Sequence, residues 1–598
     1  MANHYKSNLR DIFFNLFEVF DIGKTVLNHA PYANLDESML KEALRAFETL
    51  CVEKIAPSFA EGDQVPLKLD AEGEVYLPEG LKKSLQAFYD GDWHRFDAPE
   101  DLGGMNAPRS AYWAGFEMLV GANAPIALYT FGSFGAEMIR QIGTESQSKR
   151  YYHRFLDGRW GASMVLTEAE AGSDVGAGRT KARFIKEDIW EIEGVKRFIT
   201  NGEYDATENI VHLVLARPEG ADVGTKGLSL FLVPKFWVNE DGSLGERNGV
   251  YCTNIEKKMG IKGSATCELT FGEKSQARGL LVGNVHDGIR QMFKVIERAR
   301  MAVGVKSMST LSTAYLNALD YCKSRVQGPD LLQAMDKHAP RVRIIQHPDV
   351  RRMLILQKSY AEGMRALCMY AAFMQDQARI SQSKTDERLM DLLLPLVKGY
   401  NSERAYQILS DSLQCYGGSG YLCDYPIEQY IRDQKIDSLY EGTTHIQALD
   451  LIFRKIAKNG AATLQVLLEQ IREMLALRQE KDSLRVEYEL LAQALSDAEN
   501  ILMLMMGKMG QSLYYVGLYG NRILTGIAEL VIAWLLLRQG EIALSKLQTA
   551  SGQDKAFYEG KMASVRFFCR EALPNLSITK GLIENSDLSL MELSEQAF

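Results

Sequence analysis

Basic charge is what this 598-residue chain is shortest of: 68 Lys and Arg stand against 77 Asp and Glu, a net charge of −9. No Lys/Arg run appears. Nucleic-acid binders gain affinity by displacing counterions with basic side chains, so that class of partner is excluded. Cysteine is also scarce. The eight residues (Cys51, Cys252, Cys267, Cys322, Cys368, Cys415, Cys423, Cys569) are scattered without a C-x-x-C pair. That excludes a disulfide scaffold and reads as reduced thiols of a cytoplasmic protein. The nine histidines offer no H-E-x-x-H or paired spacing, so no metal is expected. No apolar run reaches the roughly 20 residues of a membrane span. The most apolar one, 523–537, contains Glu529 and reads as a buried helix. At the N-terminus Asp11 and Glu18 interrupt the apolar stretch and no small-residue cleavage site follows, so no signal peptide is read.

What remains is ordinary globular material, enough for roughly four units of about 150 residues. The pattern predicts an α+β multidomain chain. Residues 1–35 form an N-terminal amphipathic helix extension. There Leu9, Ile12, Phe13, Leu16, Phe17 and Phe20 share one helical face. The simplest use of that face is docking on the protein's own core, the alternative a weak membrane-surface contact. Residues 36–160 read as a helical domain, with Asp36 as an N-cap. In 161–284 the period shortens to that of strands, a β-rich unit of barrel or sandwich type, read as a β-barrel-like domain. Runs on either side of Gly194 suggest a hairpin there. Four long amphipathic stretches, 291–324, 349–377, 386–416 and 443–458, suggest a four-helix bundle over 285–458, with an insertion at 328–346. Residues 459–598 form an extra C-terminal helical domain whose Met and Leu stripes read as packing.

Four strings carry candidate chemistry. In Met164-Val-Leu-Thr-Glu-Ala-Glu-Ala-Gly-Ser-Asp174 a strand leads into hydroxyls and a turn able to hold a polar cofactor edge or a phosphate. In Phe198-Ile-Thr-Asn-Gly202 an aromatic and a hydroxyl on one face of a strand suit a flat heteroaromatic ring. Gln414-Cys-Tyr-Gly-Gly-Ser-Gly-Tyr421 ends a helix with glycines that either permit close ligand approach or simply cap it. In Leu439-Tyr-Glu-Gly-Thr-Thr-His-Ile-Gln447 a carboxylate precedes a Gly and a Thr pair that would cap the next helix, a fitting place for a general base. Each string alone is also explained by ordinary turns and caps.

In this order, the four strings resemble the acyl-CoA dehydrogenase family of flavoenzymes over residues 36–458. Further matching pieces are Pro99-Glu-Asp-Leu-Gly-Gly104, Gly260-Ile-Lys-Gly-Ser264, His347-Pro-Asp-Val-Arg-Arg352 and Arg432-Asp433. The resemblance implies FAD as cofactor. It places Met164, Leu166, Thr167 and Ser173 at the flavin and its pyrophosphate, and Phe198, Ile199 and Thr200 against the isoalloxazine ring. Ser173 would also touch the CoA part of the substrate. Gln414, Gly417, Gly418 and Arg325 correspond to contacts with the FAD of a neighbouring subunit, and Thr443 and His445 to flavin contacts after the base. Glu441 matches the catalytic base. Ala299 occupies the position some relatives use for the base on a bundle helix, with Glu297 a weaker candidate nearby, and Arg300 helps bind substrate.

By the same resemblance Glu441 removes an α-proton from an acyl-CoA thioester while a hydride leaves the β-carbon for the flavin, giving a trans-2-enoyl-CoA. Electrons pass on to an electron-transfer flavoprotein. Three departures stand out: Arg325-Val-Gln-Gly-Pro lacks the Phe-Gly usual after that arginine, 328–346 is inserted, and helices extend both ends of the family core. The layout is similar to the long bacterial subgroup that includes fatty acyl-CoA and 3-methylmercaptopropionyl-CoA dehydrogenases. The expected substrate is a medium- to long-chain fatty acyl-CoA, and the expected assembly a homodimer. The rival readings are an acyl-CoA oxidase, a 3-methylmercaptopropionyl-CoA dehydrogenase and a non-catalytic helical assembly factor.

Overall fold

The computed structural model describes residues 3–477 and 482–598. They form two compact units. One comprises Met1–Tyr5, Ala43–Ala107 and Met118–Ala299, the other Lys6–Glu42, Pro108–Glu117 and Arg300–Phe598.

In the first unit the β-rich segment closes into a barrel. Strand Ile189–Thr200 pairs with Lys181–Lys186 and with Ala277–Leu281. Ala277–Leu281 continues to Ser229–Pro234, and that strand to Ile210–Pro218. Ile210–Pro218 then runs parallel to Lys181–Lys186 and completes the ring. Closure leaves those five strands no free edge. Gly161–Val165 lies parallel to Ile210–Pro218 outside the ring, and Thr266–Phe271 and Val250–Ile255 extend it from Ile189–Thr200. Strand Ile210–Pro218 is apolar nearly throughout because both its faces are covered. Val211, Leu213 and Leu215 pack with Tyr151 and Phe155 of helix Glu145–Asp157 and with Trp160 just after it, whereas Val214 and Ala216 point to the barrel interior with Ile192 and Phe231.

The hairpin expected at Gly194 is instead one continuous strand, Ile189–Thr200. Gly194 has φ +153°, and a Cβ there would stand 2.6 Å from Thr180 Oγ1. The glycine is a barrel corner: the strand bends over Thr180 and changes partners, from Ala277–Leu281 before the bend to Thr266–Phe271 after it.

The second unit is helical. Gly288–Ser324, entering it at Arg300, packs with Pro348–Ser381 and Lys384–Tyr416. Gly304 brings two of these helices close, since a Cβ there would meet Val397 Cγ1. The fourth bundle stretch begins as α-helix Thr444–Leu449 and continues as a wider π-helical run, Asp450–Ile456. The insertion folds back as a small hairpin, Val326–Pro329 against Arg341–Arg343. Helices Tyr514–Lys546 and Gly552–Ala572 cover the bundle, with Ile532 against Gly363 and Leu524 against Gly399. Tyr514–Leu547 is long and apolar enough to cross a membrane, yet 83% of its most apolar window is buried in the protein. Glu529 on it is buried and accepts from Arg404 at 2.9 Å.

The N-terminal face is docked on the protein, but with a different phase from the one its spacing predicts. Leu9–Phe13 is α-helical and Phe14–Val19 π-helical. The wider turn rotates the stripe, so that Asp11, Ile12, Phe14, Asn15, Leu16 and Phe20 are buried while Phe13 and Phe17 are only half-buried.

Candidate active site

In the helical unit Glu441 lies on a short loop between the turn Lys435–Ser438 and helix Thr444–Leu449. Thr443 caps that helix, its hydroxyl accepting from the N–H of Ile446 at 3.3 Å. Glu441 has φ +56°, a left-handed conformation uncommon for a side-chain-bearing residue and frequent at functional sites. The loop is held from behind. Lys398 Nζ donates to the Gly442 carbonyl at 2.5 Å, and Gln447 Nε2 donates to the carbonyls of Glu441 at 3.0 Å and Gly442 at 3.2 Å. Gly442 has φ +85°, and a Cβ there would come within 2.8 Å of Gln447 Nε2, so both turn and clamp require glycine. Among the described residues the Glu441 backbone N–H has no hydrogen-bond acceptor.

The Glu441 carboxyl is half-buried. Desolvation raises its pKa above the ordinary glutamate value, while Lys398 and Arg300 pull it down. Arg300 is buried and paired with Asp450 at 2.5 Å. Its Nε has no partner among the described residues. Lys306 pairs with Asp437 at 2.8 Å, and Ser307 donates to the same carboxylate at 3.0 Å. His445, expected to face a cofactor, has Asn521 Oδ1 3.3 Å from its Nδ1.

A second cluster of the same unit gathers at two helix ends. Tyr321 stacks on Tyr416 with centroids 4.3 Å apart, and its hydroxyl donates to Ser419 at 3.3 Å. This brings the end of the helix preceding Arg325 beside the last turn of helix Lys384–Tyr416, which carries Gln414, and the turn Gly417–Tyr421 that follows it. Gly417 caps the helix in a left-handed conformation, and Arg325, Gln414, Gly417 and Gly418 are all exposed.

In the β-rich unit the ends of two strands are tied together. The N–H of Arg197 donates to the Thr167 carbonyl at 2.9 Å. Buried Lys196 donates to the Leu166 carbonyl at 2.8 Å and pairs with Glu168 at 2.9 Å. Glu168 also accepts from the N–H of Arg179 at 2.7 Å and the hydroxyl of Thr180 at 2.7 Å. The loop of Thr167 and Ser173 is thereby closed on itself, with Met164, Leu166 and Thr167 half-buried and Ser173 exposed. The register between Thr266–Phe271 and Ile189–Thr200 slips at this point, a bulge that re-aims side chains. Phe198 takes φ +60° and is 54% exposed, whereas Ile199 is 2% exposed and packed in the barrel core. A cofactor contact at Ile199 therefore falls to its backbone, its side chain being committed to packing.

The family descriptions "Acyl-CoA dehydrogenase, N-terminal domain", "middle domain" and "C-terminal domain" match residues 36–159, 163–273 and 286–457. "Acetyl-CoA dehydrogenase C-terminal like" matches 467–594. The chain is 49% identical to the broad-specificity linear acyl-CoA dehydrogenase FadE5 of Mycobacterium tuberculosis, with all of both chains covered. This chain belongs to the acyl-CoA dehydrogenase family. It is also 34% identical to the 3-methylmercaptopropionyl-CoA dehydrogenase of Ruegeria pomeroyi, covering 99% of this chain and 100% of that one. The fold matches the acyl-CoA dehydrogenase of Bacillus anthracis solved with FAD, at a TM-score of 0.73 and 21% identity over 93% of this chain and 90% of that one. It also matches ACDH-11 of Caenorhabditis elegans solved with C11-CoA, at 0.71 and 20% over 92% and 90%.

Acyl-CoA dehydrogenases are FAD flavoproteins acting on acyl-CoA, and the residues present here fit that cofactor. Gly172, Gly417 and Gly418 have nothing within 4 Å of where a Cβ would stand, leaving their backbone open to a ligand. The exposed ring of Phe198, in a left-handed conformation at a bulge, offers the flat apolar face a flavin requires. Thr167, Ser173 and Thr200 supply hydroxyls for its polar edges.

The sequence reading missed the buried charges behind both halves of this acyl-CoA dehydrogenase: Lys398, Asp450 and Asp437 in one, Lys196 and Glu168 in the other. Lys398 had a visible signal. It is a single cation ending the apolar run Leu392–Val397, the pattern of a charge that must be buried with its helix.

Proposed function

We propose that this enzyme dehydrogenates linear, medium- to long-chain acyl-CoA thioesters to trans-2-enoyl-CoA, with Glu441 as the base and an electron-transfer flavoprotein as electron acceptor. The observation that carries the assignment is the Glu441 loop. A desolvated carboxyl with a raised pKa sits on a strained turn whose backbone N–H lacks an acceptor among the described residues. A thioester α-proton is weakly acidic, so its removal needs a base of raised pKa and a donor for the enolate-like oxygen. Glu441 supplies both, accepting the proton on its carboxylate and offering its N–H to the carbonyl oxygen. Bound FAD supplies the acceptor for the β-hydride. Arg300, fixed by Asp450, holds a buried positive charge near the base. The preference for linear acyl groups is supported by the 49% identical relative of that description.

Anaerobic addition of acyl-CoAs of increasing length should bleach the flavin absorbance over a range of straight chains. Glu441→Gln should abolish bleaching while the flavin stays bound. Bleaching by the variant at the parent rate would overturn the base assignment. Hydrogen peroxide released in step with turnover would replace the electron-transfer flavoprotein by oxygen as acceptor.

A further inference from the structure

Lys398 is fully buried on helix Lys384–Tyr416, and no carboxylate lies within ion-pair distance of its ammonium among the described residues. Its hydrogen bond among the described residues, at 2.5 Å, goes to a neutral acceptor, the carbonyl of Gly442. A desolvated cation without an ion-pair partner is expensive, and structural positions seldom keep one. The charged groups around it come from several elements. Asp437 and Glu441 lie on the segment after helix Ile427–Gln434, Arg300 on the first bundle helix, and Glu403 on its own helix. Asp437 is already engaged by Lys306 and Ser307, and Arg300 by Asp450. Glu403 accepts from the Thr444 hydroxyl at 2.9 Å, which leaves Glu441 as the carboxylate in that set with no ion pair or hydrogen bond among the described residues.

We infer that Lys398 is a positioning residue for α-proton abstraction: its ammonium pins the Gly442 carbonyl, which fixes the left-handed turn at Glu441, and its positive charge favours the carboxylate there. This rests on Glu441 being the base. Two physical arguments meet here. Gln447 bonds the same two carbonyls, so the loop is clamped from both a bundle helix and the helix it precedes, and a base on a doubly held turn loses little orientational freedom. The cation also offsets part of the desolvation that raises the Glu441 pKa, and so favours the carboxylate over the protonated acid. Burial lowers the pKa of Lys398 itself to about 8, and below that pH it carries its charge.

The test uses the FAD-loaded full-length enzyme with three substitutions. Lys398→Met removes both charge and donor, Lys398→Gln removes the charge and keeps a donor, and Lys398→Arg keeps the charge. The readouts are the pH profile of flavin reduction in a single turnover between pH 5.5 and 7.5, and the affinity for the enoyl-CoA product. Losing a nearby cation raises a carboxyl pKa by roughly one unit or more. The acid limb should therefore move up by about that amount in Lys398→Met and Lys398→Gln and stay in place in Lys398→Arg. On the acid limb reduction should slow by about tenfold or more in Lys398→Met, with product affinity within about threefold of the parent. If Lys398→Met does not accumulate with the parent's flavin spectrum, the Gln and Arg pair gives the same comparison. An acid limb that stays in place when the charge is removed overturns the inference, as does loss of product affinity in proportion to rate. Failure of the base assignment is separate: Glu441→Gln would then still reduce the flavin, whatever Lys398 does.

Discussion

At pH 7 a Glu441 carboxylate must be kept where water has been partly removed. Its raised pKa has a sign for stability as well as for rate. A carboxyl whose folded pKa lies above its unfolded value adds most to stability in the protonated form, and that contribution is lost as pH rises through the folded pKa. Ionised Glu441 is thus a destabilising group that the reaction requires. Glu441→Gln should slow flavin reduction by about 10²–10⁴-fold. It should also leave the thermal midpoint at pH 7.5 equal to or above the parent's, the usual exchange of activity for stability. A midpoint lowered by several degrees would mean that the carboxylate is structurally needed. Glu441 was legible because base, glycine and cap are adjacent in the chain. The burial of Lys398 left a signal in its apolar run, but its role did not, since its bond to Gly442 spans 44 residues and only the packing of one helix on a loop creates it. The role of Ile199 was hidden for another reason: strand alternation is reliable until a bulge interrupts it, and the bulge lies between the partners of Lys196 and Ile199.

Among the elements, the loop after strand Gly161–Val165 owes its shape to one carboxylate. Burial would raise the Glu168 pKa, but Lys196, the N–H of Arg179 and the hydroxyl of Thr180 more than reverse this and leave it at about 2. A depressed carboxyl stabilises above its unfolded pKa and ceases to do so as pH falls through the folded one. Glu168→Gln should therefore lower the thermal midpoint at pH 7, and the gap from the parent should shrink below about pH 4.5. A gap independent of pH would place the effect in packing instead of charge. The N-terminal segment depends on a similar arrangement. Asp11 is fully buried and pairs with Arg365 at 2.7 Å and with Lys561. Arg365 also binds Glu117, and Lys561 faces Glu362 at 3.4 Å. Asp11 read in the sequence as an interruption of an apolar stretch, and it is instead buried with that stretch, its carboxylate meeting two buried cations. Asp11→Ala leaves two buried cations short of a counterion, a loss on the order of 3–5 kcal/mol. Denaturant unfolding followed by tryptophan fluorescence should show it, with partial recovery in Asp11→Ala/Lys561→Met. A loss under about 1 kcal/mol would show the site already open to water.

For the molecule as a whole, the order of helical, β-rich and helical segments was readable from the change of hydrophobic period. The barrel-like character of the middle segment was readable too, but which strands close the ring was not, because that depends on pairing between distant strands. The C-terminal helices raise the question of assembly. Helix Tyr514–Lys546 lies on the bundle through Ile532 against Gly363 and Leu524 against Gly399, and Gly552–Ala572 reaches the same bundle helix through Phe568 near Gly363. Bundle faces covered this way are unavailable to another subunit, and a stable interface needs an uncovered patch on the order of 1,000 Å² or more. Two copies can still meet through surfaces these helices leave open, whereas a second, dimer-to-dimer contact through the covered faces would require the extension to be displaced. Light scattering on the FAD-loaded protein should therefore give twice the 67.1 kDa chain mass. A mass four times that of the chain would show that tetramers form without the covered faces, and would leave the extension with a role other than limiting assembly.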